Sequence, residues 1–188
     1  MAPDSKLLLH ICCAPCSTAA VAAWRAEGFD LAGTFFNPNI HPFAEHERRR
    51  ETLMAYSAGI GLPLAGEPEY DVKAWLEMVR GREEKGERCR LCIGQRLRRT
   101  AETAVKGGFG AFSTTLLISP WQEHDIIQEE GERAAAAAGV AFLYRDLRPR
   151  YRESVELSRA AGLYRQNFCG CVFSEEEAAR ERHERKRK

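Results

Sequence analysis

Residues 6–18, KLLLHICCAPCST, form an almost unbroken apolar run followed by three cysteines within five positions, Cys12, Cys13 and Cys16. A short apolar stretch that does not alternate has the pattern of a strand buried on both faces, as in a parallel sheet. Ser17 to Glu27, closed by Gly28, follows as a helix. The rest of the chain repeats this alternation. Strands are expected at 6–12, 31–36, 109–114 and 140–144. Helices are expected at 42–58, 72–80, 91–105, 120–138 and 151–161, and from Ser174 onward, where Ser174-x-x-Glu177 matches a capping box. Alternating strands and helices predict an α/β fold with a parallel, doubly wound sheet. Ligands of such a sheet lie at the carboxyl ends of its strands. Cys12 and Cys13 close the first strand, Asn37-Pro38-Asn39 follows the second and Ser113-Thr114-Thr115 the third, so three stretches converge on one edge.

With 188 residues, 44% hydrophobic and 29% charged, the chain suits one compact catalytic domain over 1–188, ending in a basic helix or tail from about 176. No apolar run approaches membrane-spanning length and no signal peptide is apparent, so a cytoplasmic location without membrane contact is expected. Lys and Arg (28) nearly balance Asp and Glu (27), which excludes a polycation that coats nucleic acid indiscriminately. An RNA partner would need a local patch. Candidates are Arg48-Arg49-Arg50, then Arg96, Arg98 and Arg99, then Arg145, Arg148, Arg150 and Arg152, and the tail RERHERKRK, each more simply read as a solvated helix face.

The seven cysteines form three clusters: Cys12, Cys13 and Cys16; Cys89 and Cys92; Cys169 and Cys171. An odd number in a reducing compartment argues against a disulfide framework, and clustering favours a thiolate-bound metal over inert thiols or a redox dithiol. Structural zinc takes four ligands and leaves three thiols unexplained. An iron–sulfur cluster also takes four, with three left for a second metal or the substrate. HPFAEH lacks the spacing of a zinc peptidase, and no GxxxxGK[ST] or GxGxxG phosphate cradle is present.

HICCAPCST (10–18), FFNPNIHP (35–42), RCRLCIGQRL (88–97), FSTTLLISPWQ (112–122), FLYRDLRPRY (142–151) and LYRQNFCGCVFSE (163–175) together resemble the QueH-type epoxyqueuosine reductases. The resemblance runs from about Leu7 to Glu175. It implies a sheet similar to that of the adenine nucleotide α-hydrolase (HUP-like) superfamily. It also implies reduction of epoxyqueuosine to queuosine at the wobble position of tRNA, without cobalamin or ATP. A [4Fe-4S] cluster on Cys12, Cys89, Cys92 and Cys171 is implied, with Cys13, Cys16 and Cys169 round a second iron or other divalent metal. Some relatives have Asp where this chain has Cys16, which marks that position as a ligand outside the cluster.

Turning an epoxide into an alkene consumes two electrons and two protons and releases water, so a flavodoxin- or ferredoxin-type donor is expected as a partner. Asp71 is the first candidate proton donor, with Tyr164 and His41 behind it; Asp71 also sits where a helix N-cap belongs. Asn37, Asn39, Ser113, Thr114 and Thr115 suit a hydroxylated ring, Arg165 and Gln166 a phosphate or base edge, and Arg148, Arg150 and Arg152 the RNA backbone. Two other readings stand beside the reductase: a tRNA sulfur-transfer enzyme, which would need ATP, and a zinc-stabilised tRNA-binding protein without catalysis.

Overall fold

The computed structural model describes residues 5–66 and 69–187. Strand β1 (Lys6–His10) leads into helix α1 (Ala14–Ala26), then β2 (Asp30–Thr34), α2 (Phe43–Gly59), α3 (Val72–Val79) and α4 (Glu87–Lys106). After β3 (Ala111–Thr114) come a 3-10 turn at Thr115–Ile118, α5 (His124–Ala138), β4 (Ala141–Phe142), a second 3-10 turn at Arg148–Arg150, α6 (Tyr151–Ala160) and α7 (Val172–Arg187). The strands are parallel in the order β2-β1-β3-β4. The direction of winding therefore reverses at β1, the place where a doubly wound sheet opens a crevice at its carboxyl edge.

The apolar run works as expected. Leu7 and Leu9 pack with Val21, Trp24 and Leu53 from α1 and α2, while Leu8 packs with Ile93, Leu97 and Ile127 from α4 and α5. All three leucines are fully buried. Successive strand residues point to opposite faces, so only a strand covered by helices on both sides can bury all three. Helix α5 lies so close to β4 that a Cβ on Gly131 would come within 2.5 Å of the Phe142 ring. Glycine at that position sets the spacing of the outer layer.

Several boundaries differ from the sequence reading, and the first two shifts move cysteines. Helix α1 starts at Ala14 rather than Ser17, with Pro15 in its first turn, so Cys16 is helical. Helix α4 starts at Glu87 rather than Leu91, which puts Cys89 and Cys92 in its first turns. The helix expected from Pro120 begins at His124 instead: the Ser119 hydroxyl accepts from the Trp121 amide and the Ser119 carbonyl from Gln122, holding a turn there. The Ser174–Glu177 capping box does not form. Helix α7 already starts at Val172, the Ser174 hydroxyl bonds the Cys171 carbonyl, and Glu177 is drawn to Arg88 instead. The fourth strand shrinks to Ala141–Phe142, and the basic tail is helical as far as Arg187; Lys188 lies outside the described residues.

The register aligns His10, Thr34 and Thr114 at one edge. His10 is fully buried, with Nδ1 2.9 Å from Thr114 Oγ1 and Nε2 3.3 Å from the Phe36 carbonyl. Because a carbonyl only accepts, Nε2 carries the proton and Nδ1 accepts from the hydroxyl. Burial, then the nearby Arg96 charge, push its pKa down to about 4. The unfolded chain therefore binds more protons between pH 6.5 and about 4, and stability falls as the pH drops through that window. Relative to pH 7, His10 is expected to cost about 2 kcal/mol at pH 5. Urea unfolding at the two pH values checks this: His10→Gln is expected to lose that part of the difference, and an unchanged difference would show that His10 is not its source.

Candidate metal centre

Beyond β1 the chain still pairs once, Ile11 N to Thr34 O at 2.8 Å, before Cys12 turns away and donates its amide to Thr115 Oγ1 at 3.1 Å. Cys13 is the N-cap of α1 in extended backbone and Cys16 lies in its first turn. The three sulfurs stand within 4.8 Å of one another. Two of them are presented to polar hydrogen: the Thr115 hydroxyl reaches Cys12 Sγ at 3.4 Å and Gln166 Nε2 reaches Cys13 Sγ at 2.7 Å. Hydrogen bonds from Cys13, Cys16 and Thr115 hold the Cys12 thiol well below its usual range. The same bonds, seen from the other side, push Cys13 up to about 12 and raise Cys16. Of the three thiols, Cys12 is therefore the most readily ionised.

The other four cysteines come from distant parts of the chain. Cys89 and Cys92 project from the start of α4, and Cys92 is buried beside Trp75, Val79 and Cys171. The Cys169-Gly170-Cys171 segment is held at its backbone. Arg49 donates to the Cys169 carbonyl at 2.8 Å and the Phe168 carbonyl at 3.4 Å, and the His41 amide donates to Gly170 O at 2.8 Å. Gly170 has φ +147, which favours glycine, and a Cβ there would lie tightly at 3.0 Å from Ile40 Cγ1 and 3.1 Å from Asn39 Nδ2. Gln122 Nε2 reaches Cys169 Sγ and the Ser174 amide reaches Cys171 Sγ, both at 3.4 Å.

Six of the seven cysteines, all but Cys13, line a single cavity of about 480 Å³, together with Asn39, Trp75, Arg96, Thr115 and Gln166. All seven thiols are unbridged. Helix α7 supplies one wall through Ser174, Glu177 and Glu181, fastened by the Arg88–Glu177 pair at 2.6 Å. Sulfur donors converging from three segments, met by N–H and O–H groups, are the ligand set that thiophilic metals and iron–sulfur clusters take.

Two arginines that the sequence reading assigned to surface patches are buried instead. Arg49 is 1% exposed and its Nε pairs with Glu45 at 2.6 Å. Arg96 is 2% exposed and, among the described residues, its side chain makes one hydrogen bond, from Nε to the Cys92 carbonyl. Burial opposes its charge, but Cys92, Cys169, Cys12 and Cys89 around it hold its pKa above the ordinary value. The spacing of Cys89, Cys92 and Arg96 put all three on one helical face, a signal legible once α4 is started at Glu87.

The remaining candidates divide between cavity and frame. Asn39, Thr115 and Gln166 line the cavity, and Asn39 Oδ1 is buried without a partner. Asn37 donates to Ile11 O, Ser113 to Leu143 O, and Thr114 joins His10 to the Leu116 amide, so these three fasten the strand ends. Asp71 is exposed and caps α3 through the Ala74 amide. Tyr164 donates to Glu45 at 2.6 Å; His41 packs against Trp75, and its Nδ1 faces the Val172 amide. Arg165 binds the Val155 carbonyl and Ser158 hydroxyl. Arg148, Arg150 and Arg152 pair with Asp146, Glu153 and Glu156. None of these ten lines the cavity.

The family model described as epoxyqueuosine reductase QueH matches residues 7–177. A protein of Dehalococcoides mccartyi named epoxyqueuosine reductase QueH is 42% identical over 177 residues, covering 94% of this chain and 95% of that one. Its namesake in Thermotoga maritima is 37% identical over 175 residues, 89% of each chain. Among solved structures, a predicted subunit of tRNA methyltransferase from Methanocaldococcus jannaschii superposes with a TM-score of 0.53 at 10% identity, over 82% of this chain and 74% of that one. That likeness concerns the fold alone. No helix among the described residues is long and apolar enough to cross a membrane. With the sulfur-lined cavity in place and the family match running through every cysteine that lines it, this chain belongs to the QueH family of epoxyqueuosine reductases, oxidoreductases of tRNA modification.

Proposed function

We propose that this chain reduces epoxyqueuosine at the wobble position of tRNA to queuosine in the cytoplasm, drawing electrons from a flavodoxin- or ferredoxin-type partner. The observation that carries the reading is the set of six thiols on one cavity at the carboxyl edge of the sheet. Both epoxide C–O bonds break, the oxygen leaves as water, and two electrons and two protons are taken up. A bound [4Fe-4S] cluster and neighbouring ion would supply one-electron steps and Lewis acidity. Cys12, Cys89, Cys92 and Cys171 are proposed for the cluster, and Cys13, Cys16 and Cys169 for the ion. The tight grouping of Cys12 with Cys13 and Cys16 favours a second arrangement, in which these three share the ion and Cys169 replaces Cys12 on the cluster.

Asn39 and Thr115 face the cavity and are proposed to bind the hydroxylated ring, with Asn37, Ser113 and Thr114 holding them in place. Gln166 orients Cys13 while its buried, unpartnered Oε1 is left to accept from substrate. Arg165 braces that segment. Asp71, Tyr164 and His41 are the proposed proton sources. Arg148, Arg150 and Arg152 are proposed to meet the RNA backbone by exchanging their carboxylate partners for phosphates. Reversing the charge of all three is expected to weaken tRNA binding and lower its salt slope by roughly 2–3; an unchanged slope removes them from the interface.

The deciding experiment is iron, zinc and sulfide per chain on anaerobically purified protein, followed by turnover of epoxyqueuosine-tRNA with a chemical reductant. Roughly four or five irons with matching sulfide, and turnover, support the reductase. One zinc with no sulfide after reconstitution would replace it with the zinc-stabilised RNA-binding reading.

A further inference from the structure

Arg96 stands out among the groups that the reaction leaves unassigned. It is 2% exposed, lines the sulfur cavity, and has no carboxylate within ion-pair distance among the described residues. Taking a guanidinium out of water costs several kcal/mol unless an anion compensates it. A residue kept only to fill space here would be more stable as Met or Leu. Among the described residues its one side-chain hydrogen bond uses Nε, which leaves the four N–H bonds of the terminal nitrogens for whatever the cavity holds. Cys12, Cys89, Cys92 and Cys169, from three separate segments, line the same cavity. The Cys92 carbonyl fixes the guanidinium one helical turn beyond a proposed ligand, so its distance from the sulfurs is set by the same helix that presents them.

We propose that Arg96 is the fixed counter-charge of the thiolate-bound centre, a positioning residue that makes the centre easier to reduce. The inference rests on the reading of that centre as an iron–sulfur cluster. Four thiolates on a [4Fe-4S]²⁺ core carry a net charge of −2, and one added electron makes it −3. The permanently protonated guanidinium gains more from the reduced form than from the oxidised one. A unit charge at cavity range in an effective dielectric near 20 is worth about tenfold in that equilibrium, equivalent to about 59 mV for a one-electron couple. The electron comes from the external donor, and Arg96 neither gains nor loses a proton.

The test uses the full chain purified without oxygen, with iron and sulfide measured first and the centre then poised against dithionite while its paramagnetic resonance signal is followed. Wild-type protein without iron and sulfide overturns the reductase reading before any variant is made. With the cluster present, Arg96→Gln is expected to keep iron and sulfide while its reduction becomes about tenfold less favourable, and Arg96→Lys to stay within about threefold of wild type. An unchanged potential in Arg96→Gln overturns the proposal. If Arg96→Gln fails to hold the cluster, Arg96→Lys decides: a retained cluster of near wild-type potential supports the need for charge, and equal loss shows that only the shape of arginine matters.

Discussion

Cys89→Ser is expected to abolish the iron–sulfur signal and to lower turnover of epoxyqueuosine-tRNA by more than ~100-fold. Changing a residue that merely orients a metal ligand already costs about 10- to 100-fold, so loss of a ligand exceeds that range. Cys89 is assigned to the cluster in both arrangements of the thiols and Cys16 to the ion in both, which makes the pair a clean comparison. Cys16→Ser is expected to keep sulfide and about four irons while losing the additional metal. Cys12→Ser then separates the arrangements: it loses sulfide if Cys12 belongs to the cluster and spares it if the trio holds the ion. A Cys89→Ser protein with full sulfide and near-normal turnover would sink both.

Arg49→Met is expected to lower the unfolding free energy by about 3 kcal/mol and to reduce the amount of metal retained. The substitution nearly preserves volume, so the loss comes from broken polar contacts rather than from a cavity. It leaves the Phe168 and Cys169 carbonyls without their donor and Glu45, only 11% exposed, without its cation. Removing one member of a buried pair typically costs about 3–5 kcal/mol, because the other charge stays behind, and the partial exposure of Glu45 places this case at the lower end. The same change frees the backbone of the Cys169–Cys171 segment. Urea unfolding and iron content, read together, check both parts. A change below about 1 kcal/mol with normal iron content would mean that the segment is held by Gly170 and His41 instead.

The sheet was legible because Leu7, Leu8 and Leu9 cannot all be buried in any element covered on one side, and the convergence of Cys12, Asn39 and Thr115 followed from strand ends alone. The start of α4 was hidden because its first turns, Glu87 to Arg90, carry no apolar stripe. They bury Arg88 against Glu177 and turn Cys89 toward the cavity instead. Arg49 and Arg96 stand in runs of charge that normally face water, and only the carbonyls and sulfurs brought to them from elsewhere in the chain make their burial affordable. Ser113 and Thr114 read as ligands because a polar run after a strand suits a site. Their partners, Leu143 just past β4 and His10 on β1, are distant in sequence, a long-range fact that local pattern does not carry.

The thiols hang from the end of the first strand, the start of the fourth helix and the threshold of the last. A centre that joins them ties the chain into loops that span nearly its whole length. The entropy of closing a loop rises only slowly with its size, but for loops this long it is lost from the unfolded chain in full, as with a cross-link between distant residues. Metal binding and chain closure are then one equilibrium. A sulfur-bound centre would give this fold the kind of restraint that secreted proteins obtain from cystine.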